Sequence, residues 1–552
     1  MAHWSRRFVL LSGLGLGATL LPSLRRAFAA DAGGATPAET KAGVTPKNPH
    51  FPPGDVRRYG AVLDGQTDDT AALQAWARVG GELSFPVAQV ALVSAPIGLV
   101  SDTTITAAKG ATIETTAPDV SILNVVGRTK VSIKGLHLKQ RTPGTKAYVA
   151  GVLLEKSEQC VIEGCEFEGM QWAGVYVSSA SRNEIRNNYF HGWQGNVQDA
   201  SDVCIQRTSD FNLVEGNRIM GGGNHGVLCQ DPYSGLVPTH NVIKNNTVGK
   251  HEGYGIAVYC PGTGGKGDSF NRVIDNEVSD IQGSFYKNRS SGAGIYVIGA
   301  FCGGTEVIGN KVRNCCVQTL EHKLAPGGIG VNGVQEGVTR PRLLNNTITE
   351  MTQADGIVVV SSPGGCEITG GSIDIPAAND GHGPGGPTFV GNGIRIDAAS
   401  NVAIKDVEVV VHGPGNAVFV YAEGVAMHDI AISGGRLRAE GAGPAIRTAR
   451  TEAFTIKNVR ANDVVISSAG AAPAVVLASV EGAEFAGVQV DASREVALHV
   501  YNSTDVHVKG GKLRSGGRSV VRTTGNCAGG SIDGSVDWPR SAENAGQGFR
   551  LQ

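Results

Sequence analysis

Ile185-Arg186-Asn187-Asn188-Tyr189-Phe190 is followed by Val214-Glu215-Gly216-Asn217-Arg218-Ile219 and then by Ile243-Lys244-Asn245-Asn246-Thr247-Val248. The phrase returns as Ile274-Asp275-Asn276-Glu277-Val278, Ile308-Gly309-Asn310-Lys311-Val312 and Leu344-Asn345-Asn346-Thr347-Ile348. Later copies put Gly for Asn: Ile368-Thr369-Gly370-Gly371, Ile432-Ser433-Gly434-Gly435 and Val508-Lys509-Gly510-Gly511. A second phrase alternates with it: Gly255-Ile256-Ala257-Val258, Gly294-Ile295-Tyr296-Val297, Gly356-Ile357-Val358-Val359 and Gly393-Ile394-Arg395-Ile396. The period, roughly 22–37 residues, is that of stacked repeats.

Each phrase is a strand too short to stand alone. Its apolar residues sit two apart and face one side. Asn or Gly falls at the bend, because both tolerate positive φ. Stacking in register buries the apolar rows and pairs Asn with Asn along the axis. No amphipathic helical pattern separates the strands, which argues against βαβ units. The pattern predicts an all-β chain, a right-handed parallel β-helix solenoid of about a dozen coils. The 78 glycines and 6% aromatic content suit a narrow core with many bends.

The first residues read as a leader. Ser5-Arg6-Arg7-Phe8-Val9-Leu10 resembles the twin-arginine export motif, an apolar stretch follows to Leu21, and Ala27-Phe28-Ala29 offers a small-x-small cleavage site. Residues 1–29 are therefore expected to be a signal peptide handled by the Tat translocase, with a periplasmic or secreted destination. Their removal takes away four arginines and no acid, which moves the formal charge from −2 to −6. This balance gives no reason to expect a nucleic-acid partner. Past the leader, no apolar run approaches the length of a membrane span. Residues 30–53 read as a linker, 54–552 as one domain, and 525–552 as its C-terminal cap or tail. The ten cysteines show no metal-type spacing and read as small buried hydrophobes in stacked rows; a disulfide at Cys315 or Cys316 is the less favoured reading.

The stretch from Val56 to Gln74, with Tyr59-Gly60-Ala61-Val62-Leu63-Asp64-Gly65 and Asp68-Asp69-Thr70, resembles the opening segment of the pectate-lyase-like superfamily. That group includes phage tailspikes and polygalacturonases, and the resemblance implies the fold but no particular reaction. With its leader, the chain also resembles the twin-arginine-translocated repeat proteins of Gram-negative bacteria. Asp68 and Asp69 precede an apolar-periodic helix at 70–79 and are expected to cap it. The helix should plug the N-terminal end of the solenoid. The polygalacturonase signatures are missing: Gly381-His382-Gly383 lacks the paired aspartates and no Arg-Ile-Lys occurs. Their inverting mechanism therefore does not transfer to this sequence.

Strand phase places side chains. With Ile256 and Val258 inward, one outward row is Tyr176, Cys204, Leu228, Ala257, Tyr296, Gly330, Val358 and Arg395. The other is Ser178, Gln206, Gln230, Tyr259, Ile298, Asn332, Val360 and Asp397, polar enough for a sugar-binding face. Loops entering these strands carry Trp193, Asp199 and Asp202; then Asn224 and His225; then His251, Glu252 and Tyr254; then Lys287 and Arg289; then Glu321, His322 and Lys323. Rungs about 4.8 Å apart bring three such loops into one site.

Two chemistries fit. Elimination from an acidic polysaccharide, or C5 epimerisation, needs a base and a cation that neutralises developing charge. His251 or Tyr254 is the candidate base, Lys287 or Arg289 the cation, and His225 an acid or sugar contact. Glycoside hydrolysis needs two carboxyls, with Glu252 paired to Asp231 or to Glu321. Gln230, Asp231, Tyr259, Tyr296, Glu321, His322, Lys323 and Asn332 are the expected substrate contacts. No cofactor is certain, and Ca2+ at His251, Glu252 and Asp231 is the one metal left open. A non-catalytic glycan-binding or structural scaffold, monomeric or homotrimeric, is the remaining alternative.

Overall fold

The computed structural model describes residues 34–193, 197, 199–231, 236–260, 267–285, 289–290, 292–316, 327–377, 391–451, 454–539, 542–544 and 550–551. The leader at 1–29 lies outside them. Apart from one antiparallel pair, Ser284–Phe285 with Arg289–Ser290, the strands join in parallel to the equivalent strand one coil away. Three long parallel sheets result. The first holds Ala173–Ser178, Ser201–Gln206, His225–Gln230, Tyr254–Tyr259, Ala293–Ile298, Gly327–Asn332 and Asp355–Val360. The second holds Glu184–Arg186, Leu213–Glu215 and Val242–Lys244, and the third Tyr189–His191, Arg218–Met220 and Thr247–Gly249, each with its counterparts along the axis. The third sheet has 17 strands, so the solenoid is longer than the expected dozen coils. The extra rungs come early, from Gly81, and late, beyond Ile394, where the Asn phrase is absent but the apolar alternation persists.

The Asn phrase has two jobs, divided between neighbouring residues. Asn187, Gly216, Asn245, Asp275, Gly309 and Asn345 take the bend, all with φ between 51° and 66°. The asparagine that follows each one is buried and points along the axis. Asn217 Oδ1 accepts the Asn188 backbone N–H and the Asn188 side-chain amide, at 2.9 and 3.0 Å. Asn217 Nδ2 donates to Ile185 O and to Asn246 Oδ1, both at 2.9 Å. The pattern runs on through Asn276 and Asn310 to Asn346. A second ladder, Asn183–Asn212–Asn241–Asn271, follows the corner between the first and second sheets. Inside each ladder the amide nitrogen donates twice and the oxygen accepts, which removes the cost of burying them.

At three first-sheet strands the second position has room only for glycine. A Cβ on Gly226, Gly255 or Gly294 would lie 2.4, 2.4 and 2.5 Å from Val248, Val278 and Val312 of the third sheet. The narrow cross-section leaves no room there for a side chain.

Helix Thr70–Val79 buries Leu73, Trp76 and Ala77, and Trp76 Nε1 donates to Gly54 O at 2.8 Å. It packs on the first strand of the first sheet, Ile97–Gly98, as a plug. The capping expectation holds only for Asp68, whose Oδ1 accepts the Thr70 N–H at 2.9 Å. Asp69 turns back instead, accepting the Val62 and Leu63 N–H groups at 2.7 and 3.0 Å where Leu63 bends with φ 64°. From Gly34 on, the stretch read as a linker is packed rather than free. Helix Pro37–Lys41 carries a Thr36–Glu39 capping box, and buried Glu39 holds Arg58 Nε at 2.7 Å and Tyr59 Oη at 3.0 Å. Burial works against the Glu39 charge, but the Arg58, Thr36 and Tyr59 bonds win and take its carboxyl down to about 2. At the far end, Ser531–Ile532, Ala542–Asn544 and Arg550–Leu551 continue the sheets through the region read as a tail.

All ten cysteines are buried and free, as small apolar residues in the stack. Among the described residues, no helix is long and apolar enough to cross a membrane.

Asn217→Ala should orphan the Asn188 amide groups and the Ile185 carbonyl, a loss of about 3 kcal/mol. Urea unfolding of the variant checks this, and a midpoint equal to wild type would show that the ladder is not stabilising.

Candidate active site on the first sheet

The outward rows lie where strand phase puts them, but the face is covered rather than open. Tyr176, Cys204, Leu228, Ala257 and Tyr296 are all at most 4% exposed. Trp172 meets Tyr176 edge-on at 5.0 Å, and Tyr148 leans on both. Gln206 is buried and accepts from Tyr176 Oη at 2.9 Å. Gln230 is also buried, whereas Tyr259 and Asn332 stay partly exposed, with Asn332 Nδ2 donating to Tyr296 Oη at 3.1 Å.

The expected residues separate into the two edges of this sheet. His225, Glu252 and Tyr254 lie at the strand starts, while Gln230, Asp231, Tyr259 and Asn332 lie at the ends. Register places Glu252 opposite Gly223, eight residues before Asp231, or about 26 Å along the strand. Glu252 and Asp231 therefore do not form the expected pair or cation site, and Asp231 Oδ2 instead accepts the Leu236 N–H at 2.7 Å. Lys287, Glu321, His322 and Lys323 lie outside the described residues, as does the Arg289 side chain.

The two histidines expected as base and as acid or sugar contact are both core groups. His225 is 1% exposed, stacks on Tyr254 at 4.6 Å, and accepts the Tyr254 backbone N–H on Nδ1 at 3.1 Å. Burial, helped by nearby His251, lowers its pKa to about 3, so it is neutral and no proton donor near neutrality. His251 is fully buried, with Nε2 2.8 Å from Asp202 Oδ2. Asp202 stands at the position that is Gly226 and Gly255 on the next rungs. The imidazole packs against Gly226, with Cε1 3.5 Å from where a Cβ would stand. The sequence signal was the one strand where Asp interrupts the glycine column.

Among the described residues, the strand starts carry two partly exposed carboxyls, Asp199 and Glu252. Asp199, Gly223 and Glu252 occupy one column by register extension, and the first and last are partly exposed. Their backbones are two rungs, about 9.6 Å, apart. The Trp193 ring lies against Gly223, with Cδ1 and Nε1 3.5 Å from where a Cβ would be. Burial raises the pKa of both Asp199 and Glu252. Asp199 was seen in the sequence as a loop residue but not as the partner of Glu252. Further along the sheet, buried Arg395 sits 2.7 Å from Asp355 and 3.3 Å from Asp397. Burial raises Asp397 to about 6 despite that guanidinium.

Removing either member of the Asp202–His251 pair strands a buried polar group and should cost about 3–5 kcal/mol. Asp202→Gly combined with His251→Ile, which copies the neighbouring rungs, should cost less than either single change in urea unfolding. His225 gives a pH signature. Between pH 6.5 and about 3 the unfolded chain binds a proton that the folded chain refuses, so stability falls as pH drops through that window. His225→Phe should flatten this slope in pH-dependent thermal unfolding.

Residues 121–317 match the family described as right handed beta helix region. No curated protein matches the chain. Similar solved structures include PfbA, a surface adhesin of Streptococcus pneumoniae, at 10% identity and TM-score 0.39, covering 85% of this chain and 92% of that one. The A-module of Azotobacter vinelandii mannuronan C-5 epimerase AlgE4 gives 11% and 0.30, covering 90% and 99%. A Thermotoga maritima exopolygalacturonase gives 11% and 0.35, covering 82% and 95%. At these scores the likenesses say nothing of this chain's chemistry. The stacked parallel sheets and the family match together make the chain a right-handed parallel β-helix protein.

Proposed function

We propose that this protein is an exported carbohydrate-active enzyme that hydrolyses a polysaccharide at the leading edge of the first sheet. The observation that carries this reading is the pair Asp199 and Glu252, both half-buried, both raised by burial, and flanking an indole over Gly223. Hydrolysis of a glycosidic bond needs one carboxyl kept protonated as acid and a second that acts as base or nucleophile. Raised pKa values favour the first role. Backbones about 9.6 Å apart suit a wide carboxyl separation and an inverting outcome. Trp193 offers the apolar surface on which a sugar ring rests. Export rests on the leader at residues 1–29.

Elimination or epimerisation at the same edge is the competing chemistry. It depends on Lys287 and Arg289, whose side chains lie outside the described residues, and on His251, whose Nε2 is committed to Asp202.

Assays of neutral and acidic polysaccharides decide between them. We expect new reducing ends without the ultraviolet absorbance of an unsaturated uronate. Glu252→Gln and Asp199→Asn should each lower kcat by at least about 100-fold, with folding unchanged by circular dichroism. Reducing-end release that survives both changes would remove the carboxyl pair from the mechanism, and unsaturated product would replace hydrolysis by elimination.

A further inference from the structure

The column of strand-start positions that holds Asp199 and Glu252 runs on toward the N-terminal end of the solenoid. Register extension through the first sheet aligns Tyr148, Gln171, Asp199, Gly223 and Glu252. Tyr148 is therefore two rungs, about 9.6 Å, from Asp199 and four rungs, about 19 Å, from Glu252. It is 49% exposed, whereas Trp172 and Tyr176 beneath it are buried. Its ring centroid lies 5.0 Å from that of Trp172 and 5.8 Å from that of Tyr176. The ring rests on an aromatic bed and keeps about half of the residue's surface open.

The backbone holds this ring in place. Tyr148 takes φ 66°, a region that a bulky residue rarely adopts. The loop that carries it is tied down by Gln171, which is fully buried. Gln171 Oε1 accepts the Gly144 N–H and an N–H of Gln140 Nε2, both at 2.7 Å. Gln171 Nε2 donates to Lys146 O and to Asp119 Oδ1, both at 2.9 Å. Asp119 Oδ1 also accepts the Thr145 and Lys146 N–H groups, at 2.8 and 2.7 Å. Three of the four residues before Tyr148 are thus bonded through their backbone. A ring fixed in advance lowers the ordering cost of whatever rests on it.

We propose that Tyr148 is a sugar-stacking subsite for the polysaccharide substrate, which runs along the leading edge parallel to the solenoid axis. The inference rests on the reading of Asp199 and Glu252 as the reacting pair. With Trp193 against Gly223, aromatic rings then stand on both sides of Asp199 in the column. A pyranose ring matches such a surface, because its C–H face stacks on the aromatic ring while its hydroxyls stay in water. An extended glycan advances by close to one rung per sugar. A chain that reaches from Tyr148 to Glu252 therefore lays several units along the edge.

Affinity electrophoresis and initial rates of the full mature protein on soluble β-glucan, xylan, dextran, alginate and polygalacturonate test this. Tyr148→Ala should raise KM on the cleaved polymer about tenfold while kcat stays within about twofold, the signature of lost binding rather than lost chemistry. Tyr148→Phe keeps the ring and should stay close to wild type. Tyr148→Leu keeps Trp172 and Tyr176 covered but loses the flat face, and should show the same rise in KM if the alanine variant does not fold. The loss should shrink on oligomers too short to span the roughly 19 Å from Tyr148 to Glu252. Cleavage that Tyr148→Ala and Tyr148→Leu leave unchanged, or weaken equally at every chain length, removes the subsite and spares the carboxyl pair. No binding or cleavage of any of these polymers removes the hydrolytic reading and the subsite with it.

Discussion

A buried amide that must find all its hydrogen-bond partners in the next coil is the constraint on which this solenoid rests. Asn188, Asn217, Asn246, Asn276, Asn310 and Asn346 satisfy one another rung by rung. A slip of one residue in any strand would leave several amide groups buried without partners, each at about 1–3 kcal/mol. The ladder therefore fixes register as well as stability. Register in turn decides which loop residues stand side by side at the strand starts.

The glycine column is the complementary constraint. Third-sheet valines occupy the space that a Cβ would need at Gly226, Gly255 and Gly294. Asp202 breaks this column and is answered by His251 two coils further on. Two residues that look like loop chemistry in the sequence thus become internal structure, and the accessible chemistry shifts outward to Asp199 and Glu252. A narrow core leaves few places for a polar group, so each one is either paired inside or left at an edge.

Much of the fold was legible in the chain. The repeat, the parallel strands, the Asn pairing and the plug at 70–79 follow from spacing and residue type alone. The coil count was not, because early and late rungs keep the apolar alternation without the Asn phrase. Asp69 was read as a cap, but the Val62–Leu63 bend offered it two free N–H groups nearer by. The site was half legible. Phase and rung order put His225, Glu252 and Tyr254 on one edge, yet gave no sign that the covering of the face would bury Gln206, Gln230 and Tyr296.

The sequence by itself determined which residues stack, because a period-2 alternation with a bend residue at each corner has one economical way to bury its apolar rows. Only the tertiary structure decided which polar residues face water. That depends on what lies above each outward row and on which partner reaches across an intervening glycine. His251 and Glu252 are neighbours in the chain, yet one is sealed against Asp202 and the other stands partly exposed at the edge.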